Sequence, residues 1–398
     1  MKRLRLCFVV NPLAGLGGPL GLKGSDLDPE ELLRLSDGHL VAPERARRFA
    51  RRLAERLPDV QVYTADGLMG RDEAEEAGLK PLVVYTPSAW PTRREDTAKT
   101  VRRCLTRNVD VVVFVGGDGT ARDVYRGLGG SKIPILGVPA GVKVYSSVFA
   151  VSPEAAADLL AAWDGSVCST EIVDIDENMY RHGRLAIRLY AIARTPCGSL
   201  LVGSSKQPSP QSPEEEENRR AIARYLAEQL AGRSACTLLV LGPGTTVAAV
   251  AEELGLRGKT LLGVDVAHGG RILYRDVDEE TLYRLVLEHR SRGGRVAIIL
   301  TPIGGQGFIL GRGNQQISPR VVRAAGGKEA LIVVATRYKM EKLRWRLRVD
   351  TGDPVLDSEL AGYIRVIVDY GEEAVVPVEA YIGGSGARSA GSAKGRAL

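Results

Sequence analysis

The sequence predicts an α/β fold: an N-terminal doubly wound parallel-sheet domain, then a β-rich α/β C-terminal domain. Three observations carry this. In the first half, short apolar runs alternate with helix-spaced amphipathic runs, the pattern of a parallel sheet wrapped by helices. Val111 to Val115 is an unbroken apolar run, as in a strand covered on both faces, and it ends in Gly116-Gly117-Asp118-Gly119-Thr120. After Ala161-Ala162-Trp163 the composition shifts toward longer, partly alternating runs.

Taken in order, Leu4 to Val10 is expected as a strand, Pro43 to Leu57 as a helix and Val60 to Tyr63 as a strand. Leu82 to Tyr85 (strand), Glu95 to Arg107 (helix) and Asp110 to Val115 (strand) follow, then a helix from Thr120 and the strand Ile133 to Val138. Ser169 to Ile175 and Arg184 to Ala193 read as strands of the second region. Gly203 to Pro213 is a proline-rich surface loop before a helix from Pro213 to Gly232. Leu238 to Leu241, Leu261 to Val266 and Val296 to Leu300 are short apolar strands with helices between them. The expected domains are 1–163 for nucleotide binding and 164–328 for the acceptor. The segment 329–381 is expected to return to the first domain, and the Gly/Ser/Ala-rich 382–398 to form a disordered tail.

Length and composition narrow the classes. The 398 residues are 44% hydrophobic and 26% charged, ordinary for a globular chain with a sizeable core. A net charge of +6 comes with acidic and basic residues interleaved, which argues against nucleic acid and suits an anionic small molecule. No apolar run reaches the ~18 residues of a membrane span. Cys7, Cys104, Cys168, Cys197 and Cys236 form no CxxC pair, so neither a disulfide scaffold nor a zinc site is indicated, and Cys7 and Cys236 read as buried thiols. A cytoplasmic protein is expected; abundant Arg and Glu with few Asn, Gln and Met point to a thermophile.

The chemistry sits in glycine-rich turns that end strands. Gly116-Gly117-Asp118-Gly119-Thr120 opens a helix, where backbone N–H groups and the helix dipole favour phosphate, although Gly and Asp are also plain turn formers. Asn11-Pro12 begins a similar turn after the first strand, and Lys143 follows another in Pro139-Ala140-Gly141. Leu241-Gly242-Pro243-Gly244-Thr245-Thr246 repeats the device and resembles the phosphate-holding turn of sugar-phosphate isomerases. The run Thr301 to Phe308, continuing through Gly311-Arg312-Gly313-Asn314 to Pro319, holds more donors than a structural turn needs. The sequence has no GxxxxGK[ST] and no GxSxG, and His39, His182, His268 and His289 form no visible triad or metal pair.

Together these motifs resemble the NAD kinase superfamily, which includes diacylglycerol/sphingosine kinases and phosphofructokinases. More closely, the chain is similar to its archaeal and bacterial ATP-NAD kinase/AcoX-like branch. VNPLAGLGG, GGDGTARDV, LGVPAGVKVYSSVFA, LGPGTT, LLGVD, TPIGGQGFILGRGNQQISP and RVDTGDP recur there in this order, from Leu4 to about Tyr370. The resemblance implies a cleft between two domains and transfer of the γ-phosphoryl of ATP, or of polyphosphate, to a hydroxyl with Mg²⁺. In NAD kinases that hydroxyl is the 2′-hydroxyl of the adenosine ribose.

By the same resemblance Asp118 is the catalytic acid, orienting or deprotonating the acceptor and helping to hold the metal. Asn11, Gly116, Gly117, Gly119, Thr120, Arg122 and Lys143 are expected on the nucleotide. Gly242, Gly244, Thr245, Thr246, Thr301, Gly304, Gly305, Gln306, Arg312 and Asn314 are expected on the acceptor. A homo-oligomer is implied as well. The chain departs from NAD kinases in lacking their Asn-Glu pair (Asp176-Glu177-Asn178 is reversed), in reading Gly-Gly-Gln for Gly-Ser-Thr, and in its extra turn Gly242 to Thr246. A kinase for another hydroxyl metabolite, a polyol or sugar phosphate, stays open beside NAD, as does a nucleotide sensor.

Overall fold

The apolar runs of the first half pair edge to edge, because a strand buried on both faces can satisfy its N–H and C=O groups only with neighbours. In the computed structural model they are β1 (Arg5–Val10), β2 (Gln61–Ala65), β3 (Leu82–Tyr85), β4 (Val111–Gly116) and β5 (Ile135–Pro139). All pairs are parallel, in the order β3-β2-β1-β4-β5. Every residue of β4 is buried; each of its valines stabilises the sheet by roughly 1.5 kcal/mol or more. Helices Val41–Arg56 and Pro153–Ala161 pack together, as do helices Arg94–Leu105 and Asp118–Leu128, so connections wind over both faces. The structure describes residues 3–20, 28–35, 39–140, 144–175, 187–201, 212–231, 236–302 and 306–381.

The strand order reverses direction between β1 and β4. Ligands of open α/β sheets bind at such a point, beyond the strand C-termini. Here the two turns in question are those after Val10 and after Gly116.

An antiparallel hairpin follows, β6 (Val167–Ile175) with β7 (Ile187–Pro196). Its Ile172 and Ala193 belong to the first core, so this part of 164–328 packs with the N-terminal sheet rather than with an acceptor domain. The second core starts at the helix Pro213–Leu230 and encloses a nine-stranded mixed sheet. Its strands are β8 (Thr237–Leu241), β9 (Asp265–His268), β10 (Arg271–Tyr274), β11 (Arg295–Leu300) and β12 (Phe308–Leu310). Then come β13 (Leu331–Val334), β14 (Leu347–Val349), β15 (Gly362–Asp369) and β16 (Glu372–Ala380). The order is β10-β9-β8-β11-β13-β15-β16-β14-β12, with β8, β11, β13 and β15 parallel.

This corrects the expectation that 329–381 returns to the first domain. Ile298 to Leu300 pair in register with Leu331 to Val333, and β13 then pairs with β15, which places the segment inside the second sheet. It still touches the first domain, through Asp350 and Gly352 as well as through Tyr381, whose hydroxyl donates to Asp158 at 2.7 Å.

The cysteines correct a second expectation. Cys7 is bonded to Cys104 and Cys168 to Cys197, with Cα separations of 5.6 and 5.2 Å, while Cys236 is free and exposed. Tertiary packing sets such separations, and spacing along the chain does not display them. Among the described residues no helix is long and apolar enough to cross a membrane. The loop 202–211, Asp176-Glu177-Asn178 and the tail 382–398 lie outside the described residues.

One acid in this fold is misplaced for stability. Glu73, in the helix Arg71–Glu76, is fully buried, and among the described residues neither carboxylate oxygen has a hydrogen-bond partner. Burial pushes its carboxyl up from 4.5 to about 7, and its own backbone N–H and the Arg47 charge oppose the shift only in part. The folded state therefore binds the proton more tightly than the unfolded chain, so stability is greatest below about 4.5 and is lost as pH rises through about 7. Denaturant unfolding at pH 5 and pH 8 should show Glu73→Gln removing a slope worth roughly 3 kcal/mol. An unchanged slope would clear Glu73 of the cost.

Candidate active site

The turns after β1 and β4 are bonded to each other. Asn11 extends the sheet by donating its N–H to the Val115 carbonyl at 3.0 Å. Its side chain accepts from the Leu13 N–H at 3.2 Å, a local turn, and donates to Thr120 Oγ1 at 3.0 Å. Asn11 thus shapes its own turn and fixes the neighbouring one. Gly116 makes this possible: a Cβ there would overlap the Thr120 hydroxyl.

The helix Asp118–Leu128 starts two residues earlier than its apolar spacing indicated. Gly117 supplies no side-chain cap, and the first intrahelical bond runs from the Ala121 N–H to the Gly117 carbonyl. The N–H groups of Asp118, Gly119 and Thr120 consequently have no partner within the helix, at its positive end. Open amides at the positive end of a helix are able to receive an anion.

Asp118 is clamped from the segment after β5. Its Oδ2 accepts from the Tyr145 N–H at 2.9 Å and its Oδ1 from the Ser146 N–H at 2.8 Å. Ser146 Oγ in turn accepts from the Val173 N–H at 3.0 Å, so the hairpin braces the clamp. Burial pushes the Asp118 carboxyl above its ordinary value; Ser146, the Tyr145 amide and the Arg122 charge hold it back. Two amides leave further lone pairs on the carboxylate, enough for a hydroxyl or a metal ion. Among the described residues no group of three or more His, Cys, Asp or Glu could hold a metal. A hard cation bound here would therefore need phosphate oxygens beside Asp118, as Mg²⁺ sites commonly do.

The second domain reaches this clamp. Gln306 Nε2 donates to the Val144 carbonyl at 2.5 Å, one residue before Tyr145. At the end of β11, Thr301 is only 2% exposed and lies against Gly244, where a Cβ would stand 2.5 Å from Thr301 Cγ2. Gly244 holds φ +120°, which side chains rarely adopt. The N–H groups of Gly242 and Gly244 are spent on Ile299 and Leu261 carbonyls, both at 2.9 Å, so the glycines build the turn. The amides of Thr245 and Thr246 open the helix Thr245–Glu253. Lys143, Gly304 and Gly305 lie outside the described residues.

Arg312 and Asn314 are not on an acceptor surface. Arg312 is 1% exposed, donates to Asp350 Oδ2 at 3.3 and 3.0 Å and to the Val151 carbonyl at 2.6 Å, and stacks over Phe308. Arg45, from the first domain, takes the other oxygen of Asp350 and its carbonyl. Arg48 pairs with Glu154 at 2.7 and 3.0 Å and donates to the Gly352 carbonyl. A desolvated guanidinium needs a carboxylate partner, and that need outranks exposure to a ligand. Burial would raise the Asp350 carboxyl, but Arg45, Arg312 and Arg48 outweigh it and hold it at about 2. Asn314 is fully buried and donates to the Ile309 carbonyl at 2.8 Å. His268 packs edge-on against His289, with 5.0 Å between ring centroids.

Sequence reasoning missed Asp350, Tyr145-Ser146 and Lys339, whose Nζ donates to the Pro302 carbonyl at 2.8 Å. Asp350 and the clamp lie in recurring motifs, RVDTGDP and LGVPAGVKVYSSVFA, which was the one available signal. Nothing in the sequence marks Lys339.

Family models match both parts of the chain. The ATP-NAD kinase N-terminal domain matches residues 6–163 and the ATP-NAD kinase C-terminal domain matches residues 237–378. No curated protein matches the chain. Among solved structures, a chain described as a UDP-N-acetylglucosamine 2-epimerase from Listeria monocytogenes is similar at 11% identity. The likeness covers 84% of this chain and 79% of that one with a TM-score of 0.24, too low to carry any argument.

Removing the carboxylate at the domain junction leaves two buried cations without it. Asp350→Ala should cost about 3–5 kcal/mol in denaturant unfolding. A loss below about 1 kcal/mol would mean the junction is wetter than it stands here.

Proposed function

We infer a specific reaction for a chain that belongs to the NAD kinase superfamily and is a kinase acting on small molecules. It transfers the γ-phosphoryl group of ATP to the 2′-hydroxyl of NAD, giving NADP and ADP. The observation that carries this reading is the placement of Asp118. It is the acid of a glycine turn, at a helix N-terminus, beside the sheet's switch point, and tied through Val144 to Gln306 of the second domain.

The amides of Asp118, Gly119 and Thr120 receive phosphate oxygens, with Asn11 holding Thr120 in place and Arg122 adding charge. Asp118 takes the proton of the attacking hydroxyl. Its amide clamp fixes the direction from which it acts. Asp118, together with the nucleotide's phosphate oxygens, would hold Mg²⁺, which when bound would supply neutralisation of charge on the transferred group. Little else is required, because phosphoryl transfer depends mainly on positioning and electrostatics. Thr301 and Gln306 stand on the acceptor side.

A second acceptor class has one observation in its favour. The Gly242 to Thr246 turn adds a second helix N-terminus beside Thr301, which fits a hydroxyl metabolite bearing its own phosphate. Donor choice between ATP and polyphosphate, membership of the AcoX-like branch and assembly as a homo-oligomer belong to the same reading.

Asp118→Asn can keep one of the two amide bonds, so the variant should fold and bind ATP. NADP formation should fall by ~10² or more, the scale of losing a positioned base. A coupled spectrophotometric assay decides. Turnover within a few-fold of the parent would remove Asp118 from the chemistry.

A further inference from the structure

The second domain carries its own set of strand ends. β8, β11 and β13 are adjacent and parallel, with Leu241 beside Ile299 and Leu300 beside Val333, so the residues that follow them emerge along one rim. From β8 comes the uncapped start of the helix Thr245–Glu253, whose first N–H groups have no partner within the helix. From β11 comes Thr301-Pro302. From β13 comes Thr336 and, one turn on, Lys339, which reaches back to the Pro302 carbonyl at 2.8 Å. Thr301 thus has a helix N-terminus on one side and an ammonium on the other.

The middle of the rim is unsatisfied. Thr301 is buried against Gly244, yet among the described residues its Oγ1 has no hydrogen-bond partner. Beside Lys339, Arg219 is also buried, and its Nε likewise has no partner. A buried polar group left unpaired is costly, and natural structures rarely leave one without something to receive it. All the groups offered (helix amides, a hydroxyl, an ammonium and a guanidinium nitrogen) are donors. Two acids stand beside them: Glu215 accepts from the Thr336 hydroxyl at 2.7 Å through Oε1 and keeps Oε2 buried without a partner among the described residues, and Glu216 accepts from Arg219 at 2.5 Å.

We propose that this rim, formed by the first turn of helix Thr245–Glu253 with Thr301 and Lys339, binds a phosphate group carried by the acceptor. The word acceptor rests on the phosphoryl-transfer reading above; the phosphate site does not. Gln306, five residues on from Thr301 in the sequence, bonds the Val144 carbonyl next to the amides that clamp Asp118. A ligand anchored here by a phosphate would lie with its hydroxyl end toward Asp118. The electrostatics agree. Burial pushes the Lys339 ammonium down to about 8, with Glu215 opposing the shift and Arg219 adding to it. An arriving dianion would restore the proton that burial loosens.

The test uses the full chain with inorganic phosphate as the probe, followed by calorimetry while a non-hydrolysable ATP analogue and Mg²⁺ occupy the Asp118 loop. The analogue's own binding isotherm is recorded first, so a failed kinase reading shows itself there and not in the phosphate titration. Phosphate should bind the parent chain, at least 10-fold more weakly in Lys339→Met, and within about 3-fold of the parent in Lys339→Arg. Affinity should also fall as pH rises through about 8 in the parent, and hold there in Lys339→Arg. If Lys339→Met does not fold, Thr301→Val takes its place, with a several-fold loss expected. No phosphate binding, or equal affinity in parent, Lys339→Met and Thr301→Val, would overturn the proposal.

Discussion

The relation between the two domains depends on one buried carboxylate. Asp350, 3% exposed, accepts from Arg45 on a helix of the first domain and from Arg312 in a loop of the second. Two guanidiniums against one carboxylate is an expensive arrangement in a dry junction, and burial draws Arg312 down to about 10 even with Asp350 beside it. Such an arrangement contributes little net stability. Its effect is orientation, because the fork geometry of each arginine admits few alternatives. Arg312 carries this further by donating to the Val151 carbonyl, five residues beyond the Ser146 amide that holds Asp118.

Seen from that junction, the rest of the site is a sequence of short linkages. Asn11 fixes Thr120, Tyr145 and Ser146 fix Asp118, Val173 fixes Ser146, and Gln306 fixes Val144. The first loop is also tied across, with the Glu279 N–H donating to the Pro19 carbonyl at 3.0 Å. Each linkage is worth about 1 kcal/mol by itself. Their joint consequence is to hold one acid and the open amides of a helix in fixed relation to the second domain's loops. For a reaction that needs positioning more than covalent help, that relation is most of the catalyst.

How much of this the residues displayed follows from what kind of signal each feature leaves. Val111 to Val115 and its glycine turn were legible because a doubly buried strand and a phosphate-type turn both write themselves locally. The position of Asp118 in that turn was legible for the same reason, whereas its clamp by the Tyr145 and Ser146 amides was not. The placement of 329–381 was not, since Leu331–Val334 is an apolar strand that would suit either sheet, and only its register with β11 assigns it. The hairpin was misread similarly: its partner core is chosen by Ile172 and Ala193, two residues in nineteen strand positions. Arg312 misled because an arginine among glycines reads as a ligand contact, whereas its partner lies at Asp350, far along the chain. The disulfides were hidden by the same distance.

The most direct test of the central claim follows the phosphorus itself. Purified protein is incubated with Mg²⁺, NAD and ATP labelled at the γ-phosphate, and the products are separated and identified. The account predicts label in NADP, on the adenosine ribose 2′-oxygen, with ADP formed in equal amount. Label found only on another added hydroxyl compound would keep the transfer chemistry and refute NAD as the acceptor; ATP left intact with every acceptor would contradict the account as a whole.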